Sequence, residues 1–358
     1  MPIPGKFSIF MEEIAAKHRS EVRLEQVAGR GQGERKMRGL DPEEWERRLK
    51  VRYPMLQYFS DRPFGVEIET FGLKYTISPG DRDMIPPYKI TNRTADGTLL
   101  PRVFERHGLT LDGFSPDGPK YTAWSFVLDD TIKGAGGSEL VSPILSGLKG
   151  MAQVYDALLL LKEFPEIQIN ETCGFHVHHG VDHQKFGESQ LFQLLRIVSI
   201  FEGYIYQLLP EERRQAEACR PLEIDLYDWY RNDTRRRHPI VQNIWYSPEN
   251  LNDPEVPRNR KIHPTRYHGL NLHSYWYRQT IEFRYFPSLL DEPEELMQWI
   301  IFTQFLIEWS EGRRPQLEYL PKTNKWMNTL YKIYQGTGML SHIRFPGSPS
   351  PSTGEGGS

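Results

Sequence analysis

The sequence predicts an α+β fold built on a largely antiparallel sheet, on three observations. From Pro63 onward the chain breaks into short runs of alternating apolar and polar residues, each bounded by Gly, Pro, Asn or Asp. Longer segments of helical period lie between those runs, without the strand–helix–strand regularity of a parallel sheet. The 358 residues contain 29 Gly and 27 Pro, above the average usage of roughly 7% and 5%. Many turns are expected, and a coiled coil or simple helical bundle is excluded.

The elements follow in chain order. Residues 1–60 are charged and helix-prone, and read as a helical N-terminal extension with helices over Met11–Val27 and Pro42–Phe59. Asp41-Pro42-Glu43-Glu44 supplies an N-cap, a proline at the first helical position and a glutamate at the third. Gly29-Arg30-Gly31-Gln32-Gly33 reads as a flexible loop, since no strand precedes it and no Gly-Lys-Ser/Thr follows. Strands are expected over Val66–Ile77, Tyr121–Leu128, Glu139–Val141, Gln168–Glu171, Phe175–His179, Tyr267–His273 and Thr280–Phe286. Helices are expected over Leu148–Phe164, Ser189–Leu209, Glu292–Gly312 and Asn324–Tyr334. In the first of these, Met151, Val154, Tyr155, Leu158 and Leu161 share a face. The third carries Asp291 as N-cap with Glu294 three residues on. Residues 61–344 read as one domain with an insert at about 213–264, and 345–358, rich in Gly, Ser and Pro, as a disordered tail.

Composition narrows the function classes. Lys and Arg number 44 against 47 Asp and Glu, a net charge of −3. Such a balance gives no general field for nucleic acid or an anionic membrane, and neither is expected as a partner. Cys173 and Cys219 are the two cysteines, which excludes a disulfide scaffold and a four-thiolate zinc module. One disulfide between them is compatible with the sequence, but two buried free thiols are the expectation. The longest apolar run, Leu191–Leu209, contains Arg196 and Glu202 and is no membrane span. The apolar stretch Phe7–Met11 is too short for a signal-peptide core, so a cytoplasmic protein is expected.

The informative residues are polar ones inside strands. Side chains alternate across a sheet. In Gly65-Val66-Glu67-Ile68-Glu69 the two glutamates therefore share a face opposite Val66 and Ile68. His176 and His178 share a face opposite Phe175 and Val177, as do Glu282 and Arg284 opposite Ile281 and Phe283. Glu139 adds a fourth case after the loop Gly134–Ser138. Singly, each pattern also fits a solvated edge, a surface ion pair or, for the glycines, a hairpin turn. Together they describe one sheet with an apolar and an ionic face. Carboxylates with imidazoles suit a hard cation, Mg2+ or Mn2+, over zinc, and cations with arginines form a clamp for polyphosphate. Neither a Walker A motif nor a Gly-x-Gly-x-x-Gly loop is present.

Those residues resemble a known family. Gly65–Glu69, Trp124 and Asp129 are followed by Glu139-Leu140-Val141-Ser142-Pro143 and Cys173–His178. Arg266-Tyr267 through Leu270-Asn271-Leu272 and Glu282-Phe283-Arg284 complete the series. In order and spacing it resembles the amidoligase family, the carboxylate–amine ligases related to glutamine synthetase and glutamate–cysteine ligase. The resemblance implies a curved, largely antiparallel sheet lining a funnel. It assigns Glu67, His176 and Glu282 to one metal and Glu69, Glu139 and Asp129 to a second. His178 is implied to face the nucleotide phosphates and Arg284 the transferred phosphoryl group. Arg266 and Asn271 are implied to bind phosphate or the substrate carboxylate. Where the family has Asp-Gly-Ser this chain has Asp129-Asp130-Thr131, so either aspartate fits the ligand position. Trp124 reads as a packing residue.

The implied reaction uses ATP with Mg2+ or Mn2+. A carboxylate, from a small acid or a peptide, is phosphorylated, and an amine near a site carboxylate such as Glu139 then displaces phosphate to leave an amide. The insert, with Arg235-Arg236-Arg237, Trp229, Tyr230, Trp245 and Tyr246, reads either as a lid or as a variable surface loop. Alternatives on the same scaffold are phosphoryl transfer to a guanidine, a metal-dependent hydrolase, and a non-catalytic binding relative.

Overall fold

The computed structural model describes residues 59–73, 100–114, 118–222, 241–246 and 260–312. It also describes the strands at 75–77 and 88–90 and the single helical residues 16 and 47. Nine strands occur among them: β1 Phe64–Thr70, β2 Tyr75–Ile77, β3 Tyr88–Ile90, β4 Leu111–Phe114, β5 Trp124–Leu128, β6 Ser138–Val141, β7 Gly174–Gly180, β8 Leu270–Asn271 and β9 Thr280–Pro287. The α-helices are α1 Leu100–Arg106, α2 Gly147–Lys162, α3 Glu188–Leu208, α4 Glu211–Arg214, α5 Val241–Trp245, α6 His273–Arg278 and α7 Pro293–Ser310.

Seven strands form one sheet in the order β4-β5-β6-β1-β7-β9-β8, and β2 pairs with β3 separately. All neighbours in the large sheet are antiparallel except β4 and β5. The chain is therefore a mixed α/β structure on a mostly antiparallel sheet. Among the described residues, no helix is long and apolar enough to cross a membrane.

One face of the sheet is apolar because apolar residues alternate along β1, β7 and β9, with His179 as a polar exception and a register shift opposite His176. Phe64, Val66 and Ile68 of β1, Phe175 and Val177 of β7, and Ile281 and Phe283 of β9 are all 0–2% exposed. Helices α2, α3 and α7 bear on this core. Every residue of α7 from Leu296 to Ser310 is buried, as expected for a helix that is apolar on all sides and packed between neighbours. Trp299 of α7 stacks on Phe286 with ring centroids 4.1 Å apart, and Tyr155 of α2 donates to Glu294 at 3.0 Å. Trp124 packs in the same core, 1% exposed.

The turn between β5 and β6 depends on glycine. Gly136 has φ +75°, and a Cβ there would stand 2.0 Å from the Leu73 carbonyl oxygen. The Gly134–Ser138 loop is thus a tight turn packed against the end of β1. Cys173 and Cys219 are both free and buried.

Several boundaries differ from expectation, each for a local reason. The run Val66–Ile77 splits after β1, where Gly72 takes φ +98°. The expected strand Tyr121–Leu128 starts only at Trp124, because Tyr121 sits at φ +60°. Gln168–Glu171 is no strand: Gln168 forms one bridge to Phe71. There the Asn170 side chain accepts from Thr172 N–H at 2.9 Å, and such a turn competes with strand pairing. Tyr267–His273 contributes two strand residues, because a 3-10 turn, Pro264–Arg266, and then α6 take its flanks. The N-cap of α7 is Glu292 rather than Asp291, with Pro293 at the first helical position. Helix α1 and the parallel edge strand β4 were not expected. The expected helices Met11–Val27, Pro42–Phe59 and Asn324–Tyr334 lie outside the described residues, apart from Ala16, Arg47 and Phe59. The expected tail 345–358 lies outside them too.

Candidate active site

Strand pairing carries the alternation of single strands across the sheet. In register, Glu69 opposes Glu139, Glu67 opposes His176, His178 opposes Glu282, and Glu282 opposes Asn271. A continuous ionic row therefore crosses β6, β1, β7, β9 and β8 on the face away from the helices.

The row is buried and dense. Glu67, Glu69, His176, His178, Glu282, Arg284 and Asn271 are each no more than 8% exposed. His176 Nδ1 lies 3.2 Å from Glu67 Oε2 and its Nε2 lies 3.3 Å from Glu69 Oε1. His178 Nε2 lies 3.4 Å from Glu67 Oε1 and 3.7 Å from Glu282 Oε1. Arg284 pairs with Glu282 at 2.7 Å, and Asn271 donates to the other oxygen of Glu282 at 2.6 Å. The Gly174 N–H donates to Glu69 Oε2 at 2.5 Å.

Three overlapping triads each bring their ligand atoms within 4.8 Å of one another: Glu67, His178 and Glu282; Glu67, Glu139 and His176; Glu69, Asp129 and Glu139. Of the two aspartates that the sequence leaves open, Asp129 stands in a triad and Asp130 is exposed. Thr131 holds Asp129 by its N–H at 2.8 Å and its hydroxyl at 2.5 Å.

The titration of the row separates its two ends. Burial and then the charges of Glu67, Glu69 and Asp129 push the Glu139 carboxyl well above the usual range. Burial would raise Glu67 as well, but the charge of His178, hydrogen bonds from His176 and His178, and Arg278 hold it well below that range. At Glu282, burial is likewise outweighed by His178 and Arg284, and its pKa is lowered. Asp129 is lowered because the Thr131 hydrogen bonds outweigh its burial. The Glu139 end thus carries unmet negative charge, which a proton or a cation relieves.

A cavity of about 940 Å3 adjoins the other end. Glu67, His178, Arg278 and Thr280 line it beside Pro143, Ile144 and Val181.

Some site residues were not foreseen. Arg278 reaches Glu67 Oε1 at 3.3 Å from the last turn of α6, where strand alternation gives no guide. Thr280 holds His178 Nδ1 at 3.1 Å. It shares the strand parity of Glu282 and Arg284, so that signal was present. Arg266 is not among the residues paired with these carboxylates; its guanidinium lies over the Tyr267 ring, 5.8 Å from the centroid. The insert is only partly described. Its Arg213, Trp245 and Tyr246 are 1–3% exposed and belong to the packed body rather than to a surface loop. Trp245 donates to Thr265 at 3.0 Å, and Tyr246 bonds His273 at 2.6 Å. Trp229, Tyr230 and Arg235–Arg237 lie outside the described residues.

Comparison with known proteins finds both a family and solved structures of similar shape. A family model described as "Putative amidoligase enzyme" matches residues 60–307. A cryo-EM structure of Plasmodium falciparum glutamine synthetase matches at 10% sequence identity and a TM-score of 0.34. That match covers 76% of this chain and 56% of that one, so the chain spans little more than half its length. No curated protein matches.

Proposed function

The chain belongs to this amidoligase family, and on that premise we propose that it is an ATP-dependent carboxylate–amine ligase. The observation that carries the reading is the set of three overlapping triads, two of carboxylates with an imidazole and one of carboxylates alone, largely buried beside arginines and next to a cavity. Hard oxygen donors with imidazole suit Mg2+ or Mn2+. The raised Glu139 carboxyl supports this fit, because crowded carboxylates that hold a proton release it to a divalent ion. In this reading the triad Glu69, Glu139 and Asp129 would hold one ion, and Glu67 and Glu282 the other with His176, whose Nδ1 lies 3.2 Å from Glu67 and 3.9 Å from Glu282, although the triad around that pair contains His178. Bound there, the ions neutralise phosphate oxygens.

The chain's own side chains do the rest. His178, on the cavity side, faces the nucleotide phosphates. Thr280, 3.1 Å from Nδ1, orients the ring, and Nε2 is directed at Glu67 and Glu282. Arg284, anchored by Glu282, meets the charge that builds up on the transferred phosphoryl group. Asn271, whose NH2 donates to Glu282 at 2.6 Å and has a second N–H to give, binds phosphate or the substrate acid together with Arg266. The acid's carboxylate oxygen attacks the γ-phosphorus of ATP and ADP leaves. The amine nitrogen then attacks the carbonyl of the mixed anhydride, phosphate leaves, and Glu139 takes the amine's proton. Burial of the row keeps water from the anhydride.

The test is ADP release from ATP with Mg2+, a mixture of amines and a mixture of carboxylic acids. Release is expected to need both substrates. Glu67→Ala, Glu139→Ala and Glu282→Ala are each expected to lower it by about 100-fold or more. Phosphate release that these substitutions leave unchanged sinks the reading.

A further inference from the structure

We propose that Arg213 is a second anion-holding arginine of this site, brought to the Glu69 end from outside the sheet. The identity of its anion, a carboxylate or a phosphoryl group, rests on the ligase reading; its presence in the site does not. Arg213 belongs to the four-residue helix α4 and is 3% exposed. Burying a guanidinium is costly unless its donors are met. Yet it has no carboxylate within 4.0 Å among the described residues; its bonds go to neutral carbonyls. Nε donates to the Tyr285 oxygen at 3.1 Å and Nη2 to the Arg284 oxygen at 2.6 Å. A guanidinium carries five N–H donors, so further donors stay uncommitted among the described residues.

Gly174 locates Nη2, which keeps a second N–H beyond its bond to the Arg284 carbonyl. A Cβ at Gly174 would stand 2.5 Å from Arg213 Nη2 and 2.8 Å from His176 Nε2. Gly174 and His176 lie on the ionic face of β7, and the Gly174 N–H and His176 Nε2 grip the two oxygens of Glu69. Arg213 therefore abuts the ionic row at Glu69, and the glycine makes room for it. Its two carbonyl bonds fall where the β7–β9 register shifts, opposite His176. They fix the guanidinium in orientation without neutralising it. Arg284 differs in this respect, since Glu282 already pairs with it at 2.7 Å. A pre-oriented fork with unspent charge beside the row is suited to planar or tetrahedral oxyanions.

The experiment is calorimetric titration of the full chain, in excess Mg2+, with inorganic phosphate and in parallel with glutarate. The wild type is expected to bind one of the two, which also tells phosphoryl from carboxylate. Arg213→Gln, which can still donate to a carbonyl but carries no charge, is expected to weaken that binding about 10- to 100-fold. Unchanged affinity in folded Arg213→Gln overturns the proposal, as does a wild type that binds neither anion. Should Arg213→Gln fail to fold, Gly174→Ala is measured. It keeps every charge but sets a methyl against Nη2, and unchanged affinity there overturns the proposal equally. No turnover is involved. Anion binding through Arg213 without ADP release keeps this inference and loses the ligase reading, and ADP release with anion binding indifferent to Arg213 does the reverse.

Discussion

The two faces of the sheet bury the same kinds of ionisable residue and treat them in opposite ways. On the apolar face His179 meets one hydroxyl, that of Thr303 at 2.8 Å, and burial pushes its pKa well down. Glu202, in α3 beneath the sheet, accepts from Tyr285 at 2.7 Å and from the Leu222 N–H at 2.8 Å, and burial pushes it up to about 7. Both therefore favour the neutral form. On the ionic face, His178 and Arg284 hold Glu282 low in spite of burial, and Arg284 is raised in return. Burial alone removes charge; burial among opposite charges keeps it. The second condition costs stability and is the one useful for chemistry.

Neighbouring residues of β6 test this difference most sharply. Glu139 faces the ionic row, and Leu140, 0% exposed, faces the core. Glu139→Gln fixes the neutral form that burial and three neighbouring carboxylates already favour. ADP release is expected to fall by about 100-fold or more, while the metal-free protein melts at the same temperature or higher. Leu140→Ala is expected to cost about 2–5 kcal/mol in denaturant unfolding, with the turnover of the folded fraction retained. A metal-free Glu139→Gln protein that melts well below the wild type would mean that Glu139 is a structural acid, and the contrast between the faces would fail.

Glu202 extends the comparison to pH. An unfolded glutamate titrates near 4.5 and this one near 7. A folded value above the unfolded one gives stability that is fully present below about pH 4.5 and is lost as pH rises through 7. The loss amounts to roughly 3 kcal/mol. Glu295, pushed up to about 7 by burial and by its neighbour Glu292, slopes the same way. Glu202→Gln is expected to flatten the fall in stability between pH 5 and 8, leaving the parts due to Glu295 and Glu139. A slope equal to that of the wild type would show that Glu202 is charged in the fold.

How far the site could be read from sequence follows from what places each residue. Glu67, Glu69, His176, His178, Glu282 and Arg284 were legible because strand parity is local and each has an apolar neighbour on at least one side. Arg278 and Arg213 were not. One comes from a helix end and the other from α4, and neither direction follows from a period in the chain. Arg266 shows the converse, because it sits in a 3-10 turn where motif position does not fix where a side chain goes. In the fold, the long helices and the central strands declared themselves by period. The parallel strand β4 did not, since four residues containing a glycine show no alternation to read.

The smallest expected effects fall on two threonines that do the same job on opposite faces. Thr303 donates to the Trp299 carbonyl of its own helix at 2.9 Å, so it accepts from His179 Nε2–H. Thr280 bonds His178 Nδ1 at 3.1 Å and Ser274 at 2.8 Å. Thr303→Val leaves a buried imidazole N–H unmet and is expected to cost about 1–3 kcal/mol in unfolding, with kcat and KM unchanged. Thr280→Val is expected to leave the melting temperature within a degree or two. The KM for ATP should rise by a few-fold, because His178 loses the partner that orients its ring toward the cavity. The two readouts should move in a crossed pattern, stability on one face and substrate affinity on the other. If both threonines moved stability alone, His178 would be held for the fold as His179 is, and the ionic face would begin one residue deeper in the strand.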